Sequence, residues 1–166
     1  MKVLYYISVY LHIVSAMIWV GGMIFLALIV VPVVKSPAFE QFANRLIRLT
    51  GERFRRIGWG IITTLVITGT FNAVYRVGGS ALWEKEFWGT PFGLTLSHKL
   101  FFVGIIIIIS AIHDFSLGPK ASKALEEGES GEAEKLRKRA GWLGRVNLLL
   151  SLIVVFLAIM LVRGGL

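Results

Sequence analysis

Apolar side chains gather into four long runs: Leu4 to Val34, Trp59 to Tyr75, Leu96 to Leu117 and Trp142 to Val162. A helix needs roughly 20 apolar residues to cross a ~30 Å hydrocarbon layer. The second run is the shortest and needs its flanks. None of the runs alternates with a period of two, as barrel strands would, and lipid offers the backbone no outside hydrogen-bond partners. The pattern therefore predicts an all-α integral membrane protein, an antiparallel bundle of four transmembrane helices at about 4–34, 56–77, 96–117 and 141–163. A single membrane domain covers 1–166, and its two helical hairpins suggest a 2+2 repeat.

The segments between the runs add detail. Pro32 falls in the last turn of the first helix, where it is expected to bend or end it. Ser36-Pro37 has the form of a cap followed by proline at the first helical position. From 37 to 50, Phe39, Phe42, Leu46 and Leu49 recur at three and four residues while Arg45, Arg48 and Arg53 line other faces. This amphipathic segment suits an anionic membrane surface, or an ordinary connector with a solvated basic face. Thr63, Thr64, Thr68 and Thr70 beside Gly60 and Gly69 favour close helix packing. Asn72 is less easily absorbed by packing, and lies toward the outer end. The loop at 77–95 carries Gly78-Gly79, Trp83, Phe87, Trp88 and Pro91-Phe92-Gly93, an interfacial aromatic belt or a lid. The loop at 118–140 contains Gly128-Glu129-Ser130-Gly131 and reads as a solvated hairpin or a broken helical extension.

Composition agrees with the membrane reading, since 55% of residues are hydrophobic and only 17% charged. There is no cysteine, which excludes disulfides, thiolate metal sites and thiol nucleophiles. The apolar run after Met1-Lys2 is too long for a secretory signal and is read as a retained helix. The net charge of +8 resides in two segments. One holds Lys35, Arg45, Arg48, Arg53, Arg55 and Arg56; the other holds Lys120, Lys123, Lys135, Arg137, Lys138 and Arg139, with Arg145 just beyond. The positive-inside rule then places both basic loops in the cytoplasm and both termini outside a cytoplasmic (inner) membrane. Nucleic acid is not a partner on this distribution; the lipid bilayer is.

Only three histidines exist, His12, His98 and His113. An ionisable residue inside a membrane helix is costly without a partner and marks a site by default. At ~1.5 Å per residue, His12 lies ~12 Å and His98 ~3 Å from the outer ends of their helices, a gap that tilt can narrow. Two imidazoles from different helices can hold a haem b. Trp19 and Phe102 would wall the macrocycle, and Arg76 and Lys99 would pair with its propionates. His113 sits ~22 Å further along its helix. With Met17 and Met23 it completes a His and Met ladder, His12 and His98 outside and Met23 and His113 inside, of a kind copper(I) accepts. Against these stand plainer readings: methionine as core filler, His113 hydrogen-bonded to Asp114, and His12 hydrogen-bonded to Asn72 or a threonine.

Several short motifs carry a family resemblance. They are Leu11-His12, Ile18-Trp19-Val20-Gly21-Gly22, Lys99-Leu100, His113-Asp114-Phe115, Leu117-Gly118-Pro119 and Arg145-Val146-Asn147-Leu148. Together they resemble the CopD-like membrane proteins, which implies a four-helix unit at the cytoplasmic membrane associated with copper uptake or resistance. A fainter similarity, on His12 and the His98-Lys99 pair, is to the HemJ-type protoporphyrinogen oxidases that bind haem b. The chain departs from that pattern because His98 and Lys99 are adjacent and Asn147 is followed by Leu148.

The leading expectation is thus a haem b protein with a redox or electron-transfer role, His12 and His98 as axial ligands, and a redox partner or quinone. That would make it a membrane oxidoreductase. The alternatives are a CopD-like copper transport or copper-binding protein and a non-catalytic membrane subunit. The glycines of the first two helices permit a homodimer.

Overall fold

The computed structural model describes residues 2–126 and 130–165, so part of the Gly128–Gly131 loop lies outside the described residues. Helices account for nearly all of the chain, and there is no strand among the described residues. The four long helices are α1 (Lys2–Val34), α2 (Ala43–Val77), α3 (residues 91–126) and α4 (Ser130–Val162). Each contains a stretch long and apolar enough to cross a membrane. The chain divides into two compact units, Met1–Phe87 and Trp88–Leu166, each built on one helical hairpin.

In the first unit, partners on α2 descend as positions on α1 rise. Tyr5 stacks on Tyr75 with ring centroids 4.3 Å apart, Ser8 Oγ reaches the Thr68 carbonyl, and Trp19 stacks on Phe54 at 5.9 Å. The hairpin is therefore antiparallel. Its closest approach depends on glycine: a Cβ at Gly58 would meet the Trp19 ring at 2.9 Å, and Gly22 gives way in the same manner to Phe54. Trp19 is 8% exposed there. Most other apolar side chains of α1 point away from α2, Tyr6 and Met17 each 67% exposed, as expected where the solvent is hydrocarbon.

The second unit repeats this plan. Asn147 donates from Nδ2 to Ser110 Oγ at 3.0 Å, and Gly165 returns against Pro91 so closely that no side chain fits. Thr95, Leu96, Ile106 and Ser110 are buried on α3, with Asn147, Ser151, Leu157 and Leu161 buried on α4. Beyond this zone Gly118–Glu126 packs against α4. Ala121, Ala124 and Ala133 are buried in this region and leave the backbones room to approach.

The helices run further than the apolar runs. α3 starts at Pro91 rather than at about 96, because Thr90 caps it, its hydroxyl accepting from the Gly93 N–H at 3.1 Å, and Pro91 takes the first helical position. α2 starts at Ala43 rather than about 56, and α4 at Ser130 rather than about 141. Both extensions are rich in charged helix formers, with i,i+4 pairs Arg48–Glu52 at 3.6 Å and Lys138–Glu134 at 2.8 Å. Ser36 immediately precedes a 3-10 helix, Pro37–Phe42, with Pro37 at the first helical position as expected and the Phe39 N–H on Ser36 O, but its hydroxyl donates back to Val33 O at 2.7 Å.

Pro32 neither ends α1 nor leaves it regular. A π-helical turn at Leu26–Val30 precedes it, closed by the Val31 N–H on Leu26 O, and the helix then continues to Val34. The same device stands in α3, where His113–Leu117 is π-helical, the Gly118 N–H bonds to His113 O, and Pro119 follows. A proline ring clashes with the carbonyl four residues back in a regular α-helix, and the wider turn relieves that clash.

Candidate metal-ligating histidines

His12 faces α2. Its ring lies against Gly69, where a Cβ would stand 3.1 Å from Cε1 and 3.6 Å from Nδ1. Nδ1 is 2.9 Å from Thr68 Oγ1. The Thr68 hydroxyl has a single proton, and its closest acceptor is Thr64 O at 2.6 Å. Thr68 Oγ1 therefore accepts from His12 Nδ1–H, and the neutral imidazole carries its lone pair on Nε2. Of the plainer alternatives for His12, the threonine is the one realised. Asn72 lies one turn further along α2, and its Oδ1 is buried with no hydrogen-bond partner.

The other two histidines also set Nδ1 against an oxygen, by different means. His98 is exposed on α3, and its Nδ1 lies 2.7 Å from Leu94 O, a carbonyl that can only accept. His113 opens the π-helical turn, with Nδ1 2.8 Å from Asp114 Oδ1; its side chain is 41% exposed and that of Asp114 16%. In all three cases Nδ1 lies within hydrogen-bond distance of an oxygen, which makes Nε2 the candidate ligand atom. A metal-ligating histidine is ordinarily oriented this way, its second nitrogen donating to an outer oxygen.

The remaining candidates fall less neatly together. Met17 follows His12 by five residues, about 140° around the helix, and faces away from α2. Met23 shares the face of His12 but lies about 16 Å along the axis, too far to join it on one ion. Trp19 is occupied in packing between Phe54 and Gly58 rather than walling a cofactor. Phe102 is half-buried, edge-on to Phe101 at 5.6 Å. Arg76 is exposed in the last turn of α2, and Lys99 is half-buried on α3. His12 is the one histidine of the first unit, and in the second His98 and His113 stand at different levels of α3. No group of three or more His, Cys, Asp or Glu side chains occurs among the described residues.

One polar cluster was missed in the sequence. Asn147, Ser110 and Ser151 are 6%, 5% and 3% exposed, Ser151 Oγ donates to Asn147 O at 2.8 Å, and Asn147 Oδ1 is buried with no partner. The available signal was that Ser110, Asn147 and Ser151 interrupt otherwise apolar runs. Burying such groups in hydrocarbon is costly unless they meet.

Fold and side chains together define a multi-pass, all-α membrane protein. Residues 48–161 match the family model of copper resistance protein D, CopD. A protein of Aquifex aeolicus (strain VF5), described as an uncharacterized protein, is 33% identical over 156 residues that cover 93% of each chain. No solved structure matches. The chain belongs to the CopD family. His98 and His113 lie inside the matched region, and His12 precedes it. The haem b expectation gains no support from these comparisons.

Proposed function

We propose that the chain handles copper at the cytoplasmic membrane, taking Cu(I) on imidazole Nε2 atoms as cargo or as a bound ion, with both termini outside. The observation that carries the reading is the shared setting of the three histidines, each with Nδ1 against an oxygen, at Thr68, Leu94 and Asp114. Membership in the copper resistance protein D family supplies the metal. Imidazole, with thioether as a softer companion, suits Cu(I) and forms no hard oxygen cage for magnesium or calcium. His98 and His113, about 22 Å apart along α3, act as separate single ligands.

The test is metal analysis of the purified chain together with copper accumulation in cells expressing it. Copper should co-purify at a near-stoichiometric level and accumulation should change several-fold on expression. H12A, H98A and H113A should each reduce both. Equal copper in wild type and all three variants would overturn the reading. A reducible b-type absorption spectrum lost in both H12A and H98A would replace it with the haem site.

A further inference from the structure

The basic end of the second hairpin contains an open groove of about 450 Å³ lined by Leu117, Lys138, Arg139, Trp142 and Leu143. Its lining is almost wholly apolar, so Lys138 and Arg139 border it with their aliphatic stems. On α4, Lys138 and Trp142 are four residues apart, as are Arg139 and Leu143, so each cation stands one turn, about 6 Å, above an apolar side chain on the same face. Leu117 closes the other wall from the π-helical turn of α3. Trp142 is 58% exposed, and Lys138 is held by Glu134 at 2.8 Å on the side away from the apolar run. Trp142 also opens that run, which sets the groove where a membrane helix meets its aqueous end.

We propose that this groove is a binding site for an anionic glycerophospholipid. The guanidinium of Arg139 and the ammonium of Lys138 take the phosphodiester, and Trp142, Leu143 and Leu117 receive the first methylenes of the acyl chains. A guanidinium suits two phosphate oxygens at once, and an ammonium can share its donors between Glu134 and a third oxygen. A zwitterionic lipid would bring its own cation against Arg139, so the groove selects for net negative headgroups. The first hairpin carries a similar pattern at the corresponding place: Arg55-Arg56-Ile57-Gly58-Trp59 on α2 resembles Lys138-Arg139-Ala140-Gly141-Trp142 on α4, sharing the second Arg, the Gly and the Trp, each at the start of an apolar run. A basic pair one turn ahead of tryptophan is thus a feature of both hairpins.

Brominated lipid quenching of Trp142 tests the site in the full chain. The protein is reconstituted into phosphatidylcholine vesicles containing a small, equal fraction of either acyl-brominated phosphatidylglycerol or acyl-brominated phosphatidylcholine. The Trp142 signal is taken as the difference between wild type and W142F. Brominated phosphatidylglycerol should quench that signal several-fold more than brominated phosphatidylcholine. The double variant K138Q/R139Q should bring the two to equality, and R139Q alone should lower the excess if the double variant reconstitutes poorly. K135Q, which removes one charge outside the groove, should keep the excess. Equal quenching by the two lipids in wild type, or an excess that survives loss of Arg139, would overturn the proposal; loss of the excess in K135Q to the same extent as in R139Q would reduce it to diffuse attraction and overturn it as well.

Discussion

Thr68 decides what His12 can do. Its hydroxyl proton is committed to Thr64 O, so its oxygen accepts from Nδ1–H and the imidazole keeps Nε2 as its ligand atom. Replacing it by valine preserves the shape but removes the acceptor. Interhelical hydrogen bonds in membranes contribute about 0.6 kcal/mol on average and up to about 1.7, so T68V should cost stability on that scale. It should also weaken copper retention while leaving His12 in place. Thermal unfolding and copper content measured on T68V and T68S check this, with serine expected to restore both. Gly69→Ala acts on the same ring by a different route, because the added methyl would stand 3.1 Å from Cε1 and force the imidazole to shift. A copper content unaltered in T68V would mean that the tautomer is not what matters. The histidines themselves were legible in the sequence as ionisable groups inside apolar runs. So was Asp114 as the partner of His113, while the partner of His12 was narrowed only to Asn72 or a threonine: Thr68 is one of five threonines on α2, and the packing of α1 on α2 singles it out.

At the scale of the helices, packing rests on glycine opposite aromatic. Trp19 fills the space left by Gly58 and stacks on Phe54. W19A should destabilise the first unit by about 3–5 kcal/mol, the usual cost of deleting a buried large aromatic, and denaturation in mild detergent measures it. A small loss, under about 1 kcal/mol, would show that α1 and α2 close over the gap. The apolar runs located all four spans, because crossing hydrocarbon demands about 20 such residues, and the ends at Val34, Val77 and Val162, but they misplaced the starts of α2, α3 and α4 and the end of α3. Thr90 and Pro91 start α3 by capping, and the charged first turns of α2 and α4 are helical through propensity and i,i+4 pairing. Hydropathy registers neither effect.

For the whole molecule, the distribution of Lys and Arg sets the orientation proposed here, with the middle loop outside and both basic segments inside. The absence of native cysteine makes this simple to check. In intact cells an impermeant thiol reagent should label S80C and leave K120C unlabelled until the membrane is opened. The reverse pattern would invert the direction assigned to any copper movement and place the lipid groove in the outer leaflet. The two-hairpin organisation was suggested by the spacing of the runs, whereas the recurrence of a π-helical turn ahead of Pro32 and again ahead of Pro119 became visible only in the backbone.

Those turns mark where the length of this chain can change. A π-helical turn stores one residue more than the α-helix it interrupts, so the parts of α1 and α3 on either side are out of phase by about 100°. Deleting one residue within Leu26–Val30 or His113–Leu117 would return the helix to a single phase and swing the segment beyond it around the axis. The polar contacts of Ser8, His12 and Ser110, which lie before the turns, would stay where they are. Relatives one residue shorter at these points should therefore share the membrane face of this protein while presenting a rotated basic face.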